Sequence, residues 1–444
     1  MEYIQRLQKV SVLGAAGKMG SGIVLLTAIE MADQMINPEN RGKSFVLNAI
    51  DTSDEGLTGL VKYLQSQVLK AAEKKAVALR GIYADQHMLI ENSEIIEAYV
   101  RDVMSIIRTT TRIEAAFDST LIFEAVSENQ ALKEKLFRLI NENNTSQPWF
   151  FTNTSSVPIG GLNKNANLDG RILGFHFYNP PAVQKLVELI TIAENPGEMV
   201  EFANKYATYL RKTVVPSNDI AGFIGNGHFM RDALFGISEV ERLSSRMSYY
   251  EAIYSIDRVT RDFLSRPMGI FQLVDYVGLD VVQFILRVMQ PHIKGEKMHS
   301  SLLDELVLNG VRGGQFSDGS QKDGFFKYEK GKPVGVIDKT SGSYIEISAF
   351  REKTDKWLGT APAEVLPWKA LVKVRDKDSV LRPAFKALRE SGTEGASLAV
   401  KFALNSRETA LKLVSDKVAH NGNDVNTVLL TGFFHAYGPI NDYL

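Results

Sequence analysis

The sequence predicts an α/β half followed by an all-α half. Three observations carry that division. Apolar runs of strand length alternate with helical periodicity through roughly the first half of the chain. A glycine-rich turn separates the first such run from the first helix. Beyond Ser217-Asn218-Asp219 the strand signals fade and helical spacing dominates.

The elements follow in order. Val10-Ser11-Val12-Leu13 is a short apolar run that ends at glycine, and residues 20–32 read as the helix after it. Residues 45–50 form a second strand, closed by Asp51. Residues 55–77 set Leu57, Leu60, Val61, Leu64, Val68 and Leu69 at helical spacing, and 87–107 repeat that pattern. Residues 120–126 read as a buried strand, 130–141 as a helix, and 149–152 and 171–175 as two more strands. Such βαβ alternation predicts a parallel sheet covered by helices on both faces. In the second half, 313–335 are rich in glycine, lysine and aspartate and read as a loop region, and 382–418 are helical. Arg266-Pro267-Met268-Gly269 and His435-Ala436-Tyr437-Gly438 each follow a helix and precede an aspartate. Either two small helical bundles stand in tandem here or two amphipathic helices are alike by chance.

A chain of 444 residues holds two or three domains. With 44% apolar and 23% charged residues the composition is globular. A net charge of −1 supplies no basic footprint, which argues against nucleic acid as the main partner. The absence of cysteine excludes disulfides, thiolate nucleophiles and cysteine-ligated zinc. Residues 1–9 are polar, lead almost at once into a strand and fit no signal peptide. No apolar run approaches the length that spans a bilayer. The expectation is a cytoplasmic protein with no membrane partner.

Gly14-Ala15-Ala16-Gly17-Lys18-Met19-Gly20 follows a strand and opens a helix, the context in which a glycine-rich turn cradles a pyrophosphate. Its spacing, G-x-x-G-x-x-G, is one residue longer than the usual dinucleotide motif. The plain alternative is a tight turn without a ligand. Asp51, at the end of the second strand, suits the ribose hydroxyls and favours NAD over NADP, with Arg41 and Lys43 nearby in sequence weighing the other way. Residues 31–44 lengthen the path to Asp51 and read as a surface insertion.

The chemistry is expected at His176, at the C-terminal end of a strand, where open α/β sheets place their ligands. A neutral imidazole there takes a hydroxyl proton while hydride leaves the same carbon. Such a histidine needs an anion on its other nitrogen. Glu188, on a return strand at 185–190 after Pro180-Pro181, is the candidate. Taken singly, His176 reads equally as a core histidine and Glu188 as a surface acid. Asn153-Thr154-Ser155-Ser156 follows another strand end and either binds a substrate oxygen or caps the next helix. Asn226 opens the helical half, where it either meets a substrate carbonyl or satisfies local backbone.

These residues, with Phe123-Glu124-Ala125-Val126-Ser127-Glu128-Asn129, Lys133, His176-Phe177-Tyr178-Asn179-Pro180, Lys185-Leu186-Val187-Glu188, Gly222-Phe223-Ile224 and Pro267-Met268-Gly269 with Asp275, lie in an order and spacing that resemble the L-3-hydroxyacyl-CoA dehydrogenases. The resemblance covers nearly the whole chain. It implies a Rossmann-type NAD-binding domain at 1–217, a first helical domain at 218–330, and a linker with a second helical domain at 331–444. It implies His176 as acid–base, Glu188 as its orienting carboxylate, Ser155 on the substrate's 3-oxygen and Asn226 near the reacting carbon. It implies NAD contacts from Gly14, Gly17, Lys18, Met19, Gly20, Asp51, Glu128 and Lys133. The implied substrate is an acyl-CoA, the implied assembly a homodimer, and enoyl-CoA hydratase and thiolase would be separate proteins. A dehydrogenase of a small hydroxy acid, and a non-catalytic NAD-binding protein, are the rival readings.

Overall fold

The computed structural model describes residues 3–40, 42–316 and 319–444. The chain divides into two compact units, Met1–Asp219 and Ile220–Leu444.

The first unit runs α1 (Tyr3–Leu7), β1 (Lys9–Leu13), α2 (Lys18–Ile36), β2 (Val46–Ile50), α3 (Asp54–Ile82), α4 (Asn92–Ser105), β3 (Ile107–Thr110), β4 (Leu121–Glu124), α5 (Gln130–Asn143), β5 (Trp149–Thr152), α6 (Ile159–Ala166), β6 (Ile172–Phe177), β7 (Leu186–Thr191), α7 (Gly197–Tyr209) and β8 (Thr213–Asn218). Its sheet has the order β3-β2-β1-β4-β5-β6-β7-β8. Neighbours are parallel except β6 and β7, which are antiparallel. Every residue of β4, β5 and β6 is buried, which is why these strands read as continuous apolar runs and not as alternation. The strand order reverses between β1 and β4, and in open sheets that switch point opens a crevice at the C-terminal strand ends.

Several elements depart from the sequence expectation. The start of the chain forms the short helix α1 before β1, where a direct entry into strand was expected. Residues 31–36 belong to α2 and not to an insertion, and Met31 and Ala32 are fully buried. Arg41 lies outside the described residues; Lys43 donates to Asn40 Oδ1 at 2.8 Å. The expectation of no bilayer-length run is also corrected. The 19 residues of α2 are long and apolar enough to cross a membrane by length and composition, but Ile23, Val24, Leu25, Ala28 and Met31 are buried in the core of this unit. A helix packed against a parallel sheet on one face and other helices beside it is apolar for that reason.

The second unit contains α8 (Gly225–Leu243), α9 (Tyr249–Arg258), a π-turn (Val259–Phe263), α10 (Ile270–Val277), α11 (Leu279–Met289), α12 (Ser301–Leu308), α13 (Ile347–Leu358), α14 (Trp368–Leu371), α15 (Asp378–Glu390), α16 (Glu394–Ser415) and α17 (Gly422–Gly432). One apolar core runs from Ala221 to Ala436, so the segments before and after residue 330 contribute to a shared interior. Residues 313–335, read as loop, include strand β9 (Phe326–Glu329) and the start of β10 (Lys332–Ile337), which with β11 (Tyr344–Glu346) make a small antiparallel sheet. Lys330 and Gly331, both at positive φ, form the two-residue hairpin turn. The helical stretch expected at 382–418 breaks at Ser391-Gly392, and Thr393 caps α16 through the Ala396 N–H at 3.2 Å.

The tandem pattern has a structural counterpart. Asp257 Oδ1 accepts from the Phe271 and Gln272 N–H groups at 3.0 and 2.9 Å. Asn426 accepts from the Ile440 N–H at 3.0 Å and donates to its carbonyl at 2.8 Å. A Cβ on Gly269 would lie 2.1 Å from Asp257, and one on Gly438 would lie 2.2 Å from Asn426. Gly269 to Gly438 is a displacement of 169 residues, and the same displacement carries Gly225, the start of α8, to Glu394, the start of α16.

At the far end of α2 from the glycine loop, Glu30 is buried and accepts from Tyr3 Oη at 3.0 Å and Gln34 Nε2 at 2.9 Å. Burial lifts its pKa from the ordinary 4.5 to about 7. A folded pKa above the unfolded one means that the native state binds the extra proton between those values, so stability falls as pH rises from about 4.5 to 7. Glu30→Gln keeps the acceptor and removes the charge. Denaturant unfolding should therefore favour the variant by an amount that grows over this window and levels above it, on the order of 3 kcal/mol at pH 8.

Candidate active site

The glycine turn is held where a dinucleotide would need it. The N–H groups of Gly14 and Ala15 both donate to the Ile50 carbonyl, at 2.9 and 3.0 Å, which pins the turn to the end of β2. Gly14 has φ +74°, and a Cβ there would stand 2.6 Å from the Ala125 carbonyl oxygen. A Cβ on Gly20 would stand 2.0 Å from the Gly14 oxygen, so these two glycines let the turn close against β4 and α2. Gly17 differs. It caps α2 in extended backbone, is exposed, and its Cβ would meet the Gly14 oxygen at 3.3 Å, a tight contact but far milder than the other two. With no side chain of its own to cap the helix, it leaves room for an anion at the N-terminal dipole of α2. Lys18 and Met19 are the first two residues of that helix. Asp51 Oδ2 accepts from the Ala16 N–H at 2.9 Å, so the acid at the end of β2 touches the inserted part of the turn itself. These residues fit a dinucleotide: a tight turn, a bare helix end and a carboxylate beside both.

Beyond β4 lies a buried charge cluster. Glu124 and Lys133 are almost fully buried, and Lys133 Nζ lies 2.6 Å from Glu124 Oε1 and 3.0 Å from Glu128 Oε2. Glu124 also accepts from Thr152 Oγ1 at 2.6 Å and the Val126 N–H at 2.8 Å. Glu128 accepts from Thr154 Oγ1 and from the Ser155 N–H at 2.9 Å. Burial works against the charge of Glu128, but Lys133 and the donated hydrogen bonds outweigh it and its pKa is lowered. Burial likewise opposes the charge of Lys133, and the two carboxylates overcome it and raise its pKa. The cluster thereby fastens the Ser155 turn at the end of β5 to the loop after β4. The cap alternative for 153–156 fails in one respect: the first amides of α6, those of Ile159 and Gly160, are bound by the Asp219 carboxylate at 2.6 and 2.7 Å.

His176 and Glu188 are direct partners across the β6–β7 ladder. His176 Nδ1 lies 3.5 Å from Glu188 Oε1, Glu188 is fully buried, and the imidazole is 8% exposed. Nδ1 is the ring nitrogen turned to the carboxylate. Asn153 Oδ1 accepts from the Phe177 N–H at 2.8 Å, so the end of β5, with Ser155 two residues on, is tied to the end of β6. The first unit thus gathers Gly14, Gly17, Gly20, Asp51, Glu128, Lys133, Ser155 and His176 on the C-terminal ends of β1, β2, β4, β5 and β6 and on the loops and first helical turns that follow them, with Glu188 on the facing strand. Asn226 belongs to the second unit, in the first turn of α8.

Sequence reasoning assigned no part to Glu124, Tyr178 or Lys212. Tyr178 Oη donates to Glu188 Oε1 at 2.5 Å. Lys212 donates to the Pro181 and Gln184 carbonyls at 2.5 and 2.6 Å and so clamps the turn between β6 and β7; burial pushes its pKa down to about 8. A lone tyrosine or lysine carries no pattern; only the position of Tyr178, two residues from His176, offered a signal.

Family models match most of the chain. Residues 9–220 match the 3-hydroxyacyl-CoA dehydrogenase NAD binding domain, and residues 244–328 match the 3-hydroxyacyl-CoA dehydrogenase C-terminal domain. The human mitochondrial hydroxyacyl-coenzyme A dehydrogenase is 28% identical over 73% of this chain and 92% of its own length. The crystal structure of FadB2 from M. tuberculosis aligns with a TM-score of 0.55 and 26% identity over 73% of this chain and 99% of that one. The 3-hydroxybutyryl-CoA dehydrogenase of Escherichia coli K12 shares the fold over 98% of this chain and 90% of its own, at a TM-score of 0.63 and 22% identity.

The two glycines of the turn should separate on substitution. Gly20→Ala forces its Cβ into the Gly14 carbonyl and should lower unfolding stability by roughly 2–4 kcal/mol, with loss of NADH binding. Gly17→Ala should stay within about 1 kcal/mol of wild type yet bind NADH weakly, because the methyl occupies the anion's place at the helix end. Denaturant melts with NADH fluorescence titration check both.

Proposed function

Because the chain belongs to the 3-hydroxyacyl-CoA dehydrogenase family, we propose that it moves a hydride between C3 of an L-3-hydroxyacyl-CoA and NAD, oxidising the alcohol to a 3-ketoacyl-CoA as in fatty-acid β-oxidation. The observation that carries this reading is the His176–Glu188 pair at a strand end beside a built dinucleotide turn. NAD, when bound, supplies the hydride acceptor. Gly14, Gly17, Lys18, Met19, Gly20 and Asp51 would hold its pyrophosphate and ribose, and Glu128 and Lys133 its nicotinamide end. Asp51, a carboxylate at the ribose position, disfavours a 2′-phosphate.

His176 Nε2 takes the proton of the 3-hydroxyl as the hydride departs. Glu188 holds the Nδ1 proton, fixes the tautomer and stabilises the imidazolium that forms. In the reverse direction the same imidazolium returns its proton to the oxygen of the ketone. Ser155 binds that oxygen with His176 and so orients the C3 hydrogen, and Asn226 assists near the reacting carbon. Positioning supplies much of the rate. A cytoplasmic setting, a homodimer, and supply and removal of the acyl-CoA by a separate hydratase and thiolase complete the proposal; they rest on the family resemblance.

Absorbance at 340 nm with NADH and acetoacetyl-CoA, then with a long-chain 3-ketoacyl-CoA, tests the reaction. Oxidation with either supports it, and the ratio sets the chain-length class. Oxidation only with a small keto acid lacking CoA, or NADH binding without turnover on any of these, would overturn it. His176→Ala should lower kcat by about 10³-fold with NADH affinity within about threefold of wild type. Glu188→Gln should lower the rate and move the acid limb of the oxidation profile to lower pH, since the imidazolium loses its counter-charge.

A further inference from the structure

One oxygen of Glu188 faces both Tyr178 and His176. Its Oε1 lies 3.5 Å from His176 Nδ1 and 2.5 Å from Tyr178 Oη. The tyrosine ring also packs against the imidazole, with centroids 4.9 Å apart. We propose that Tyr178 is a positioning residue that meters the charge Glu188 offers His176: the phenol holds Oε1 in a short charge-assisted hydrogen bond and weakens the carboxylate's pull on the Nδ1 proton. This inference deepens the proposed dehydrogenase reading and rests on it.

The arrangement is built and not incidental. The register of β6 and β7 sets Glu188 opposite His176, and Tyr178 follows Phe177, the last residue of β6, so its ring folds back over the pair. Asn153 holds the Phe177 N–H and Lys212 holds the Pro181 and Gln184 carbonyls, which fixes the backbone on both sides of Tyr178. Burial and the adjacent Glu188 push the phenol's pKa well above its ordinary value, so it remains a donor throughout the working range. The ionisable groups facing the pair are Glu188 from β7 and Tyr178 from the loop after β6. Lys212, before β8, is engaged by the two carbonyls, Glu128 by Lys133 and the Ser155 turn, and Lys185 is exposed.

A carboxylate that gives up one short hydrogen bond becomes a stronger base and a stronger counter-ion for its other partner. With the phenol in place, His176 gains less from Glu188 as an imidazolium. Tyr178→Phe keeps the ring and removes the donor. The imidazolium should then be favoured by about one pH unit, roughly tenfold in its protonation equilibrium. Alcohol oxidation loses rate at low pH, and ketone reduction extends to higher pH.

The test is the imidazole titration of His176 in the full-length protein, followed by NMR of histidine-labelled samples and assigned by loss of the signal in His176→Gln, alongside the kcat/KM–pH profile for NAD-linked oxidation. The expected result is an upward shift of the His176 titration by about one unit in Tyr178→Phe, with the acid limb moving alike. In a Glu188→Gln background the same tyrosine change should shift it by less than about a third of that, because the effect passes through the carboxylate. An unmoved titration in Tyr178→Phe, or an equal shift in the Glu188→Gln background, overturns the proposal. A shifted titration in a protein that oxidises no hydroxyacyl-CoA upholds the tuning and removes the dehydrogenase reading instead.

Discussion

The antiparallel step from β6 to β7 is the constraint on which the catalytic geometry depends. Up to β6 the neighbouring strands of the sheet are parallel, and a parallel neighbour reached by a crossover would not return the chain to His176 within a dozen residues. A tight return does, and it sets Glu188 directly opposite His176. Side chains alternate faces along a strand, so a slip of one residue in this register would aim Glu188 away from the imidazole. That is why the turn at 178–185 is so heavily tied, by Asn153 at one end and Lys212 at the other.

The charge cluster at Glu124, Lys133 and Glu128 does for β4 and β5 what that turn does for β6 and β7. Glu124 and Lys133 are nearly removed from water and Glu128 is partly so, an arrangement that costs more in desolvation than an apolar core would. What it supplies is direction: Lys133 joins the end of β4 to the loop after it, and Glu128 then receives the amide of Ser155 and the hydroxyl of Thr154. A serine whose backbone amide is bound to the carboxylate of a salt-bridged glutamate cannot drift as a free loop residue would. Strand ends across the first unit are thus joined by side-chain bonds, and the loops that carry chemistry inherit the rigidity of the sheet.

The parts of this site that sequence reasoning reached share a physical reason. His176 and Glu188 were legible because an apolar strand, a proline turn and a return strand leave little freedom in which residues face each other. The place of Asp51 beside the glycine turn was legible because it closes the short apolar run of β2. Tyr178 and Lys212 were not, since a phenol or an ammonium acquires its partner from the third dimension and leaves no periodicity. The same holds for the fold. Residues 31–36 looked like the beginning of an insertion because asparagine, proline and arginine follow closely, yet Met31 and Ala32 face the core and carry α2 on to Ile36. The β9–β10 hairpin was hidden by the glycine and lysine around it, although Lys330-Gly331 is a recognisable two-residue turn between alternating residues.

The second helical segment extends this point. The family's C-terminal model matches residues 244–328, and the chain beyond it repeats a local geometry found within that match. Asp257 and Asn426 differ in charge, yet each accepts from a backbone amide past a glycine that has no room for a Cβ. What the two positions share is a steric demand, a glycine under a capping side chain, together with a helix start displaced by the same 169 residues. A hydrogen-bond acceptor can be an acid or an amide, but only glycine leaves the space. Repeats of this kind are therefore found more surely through the contacts their glycines permit than through the side chains that surround them.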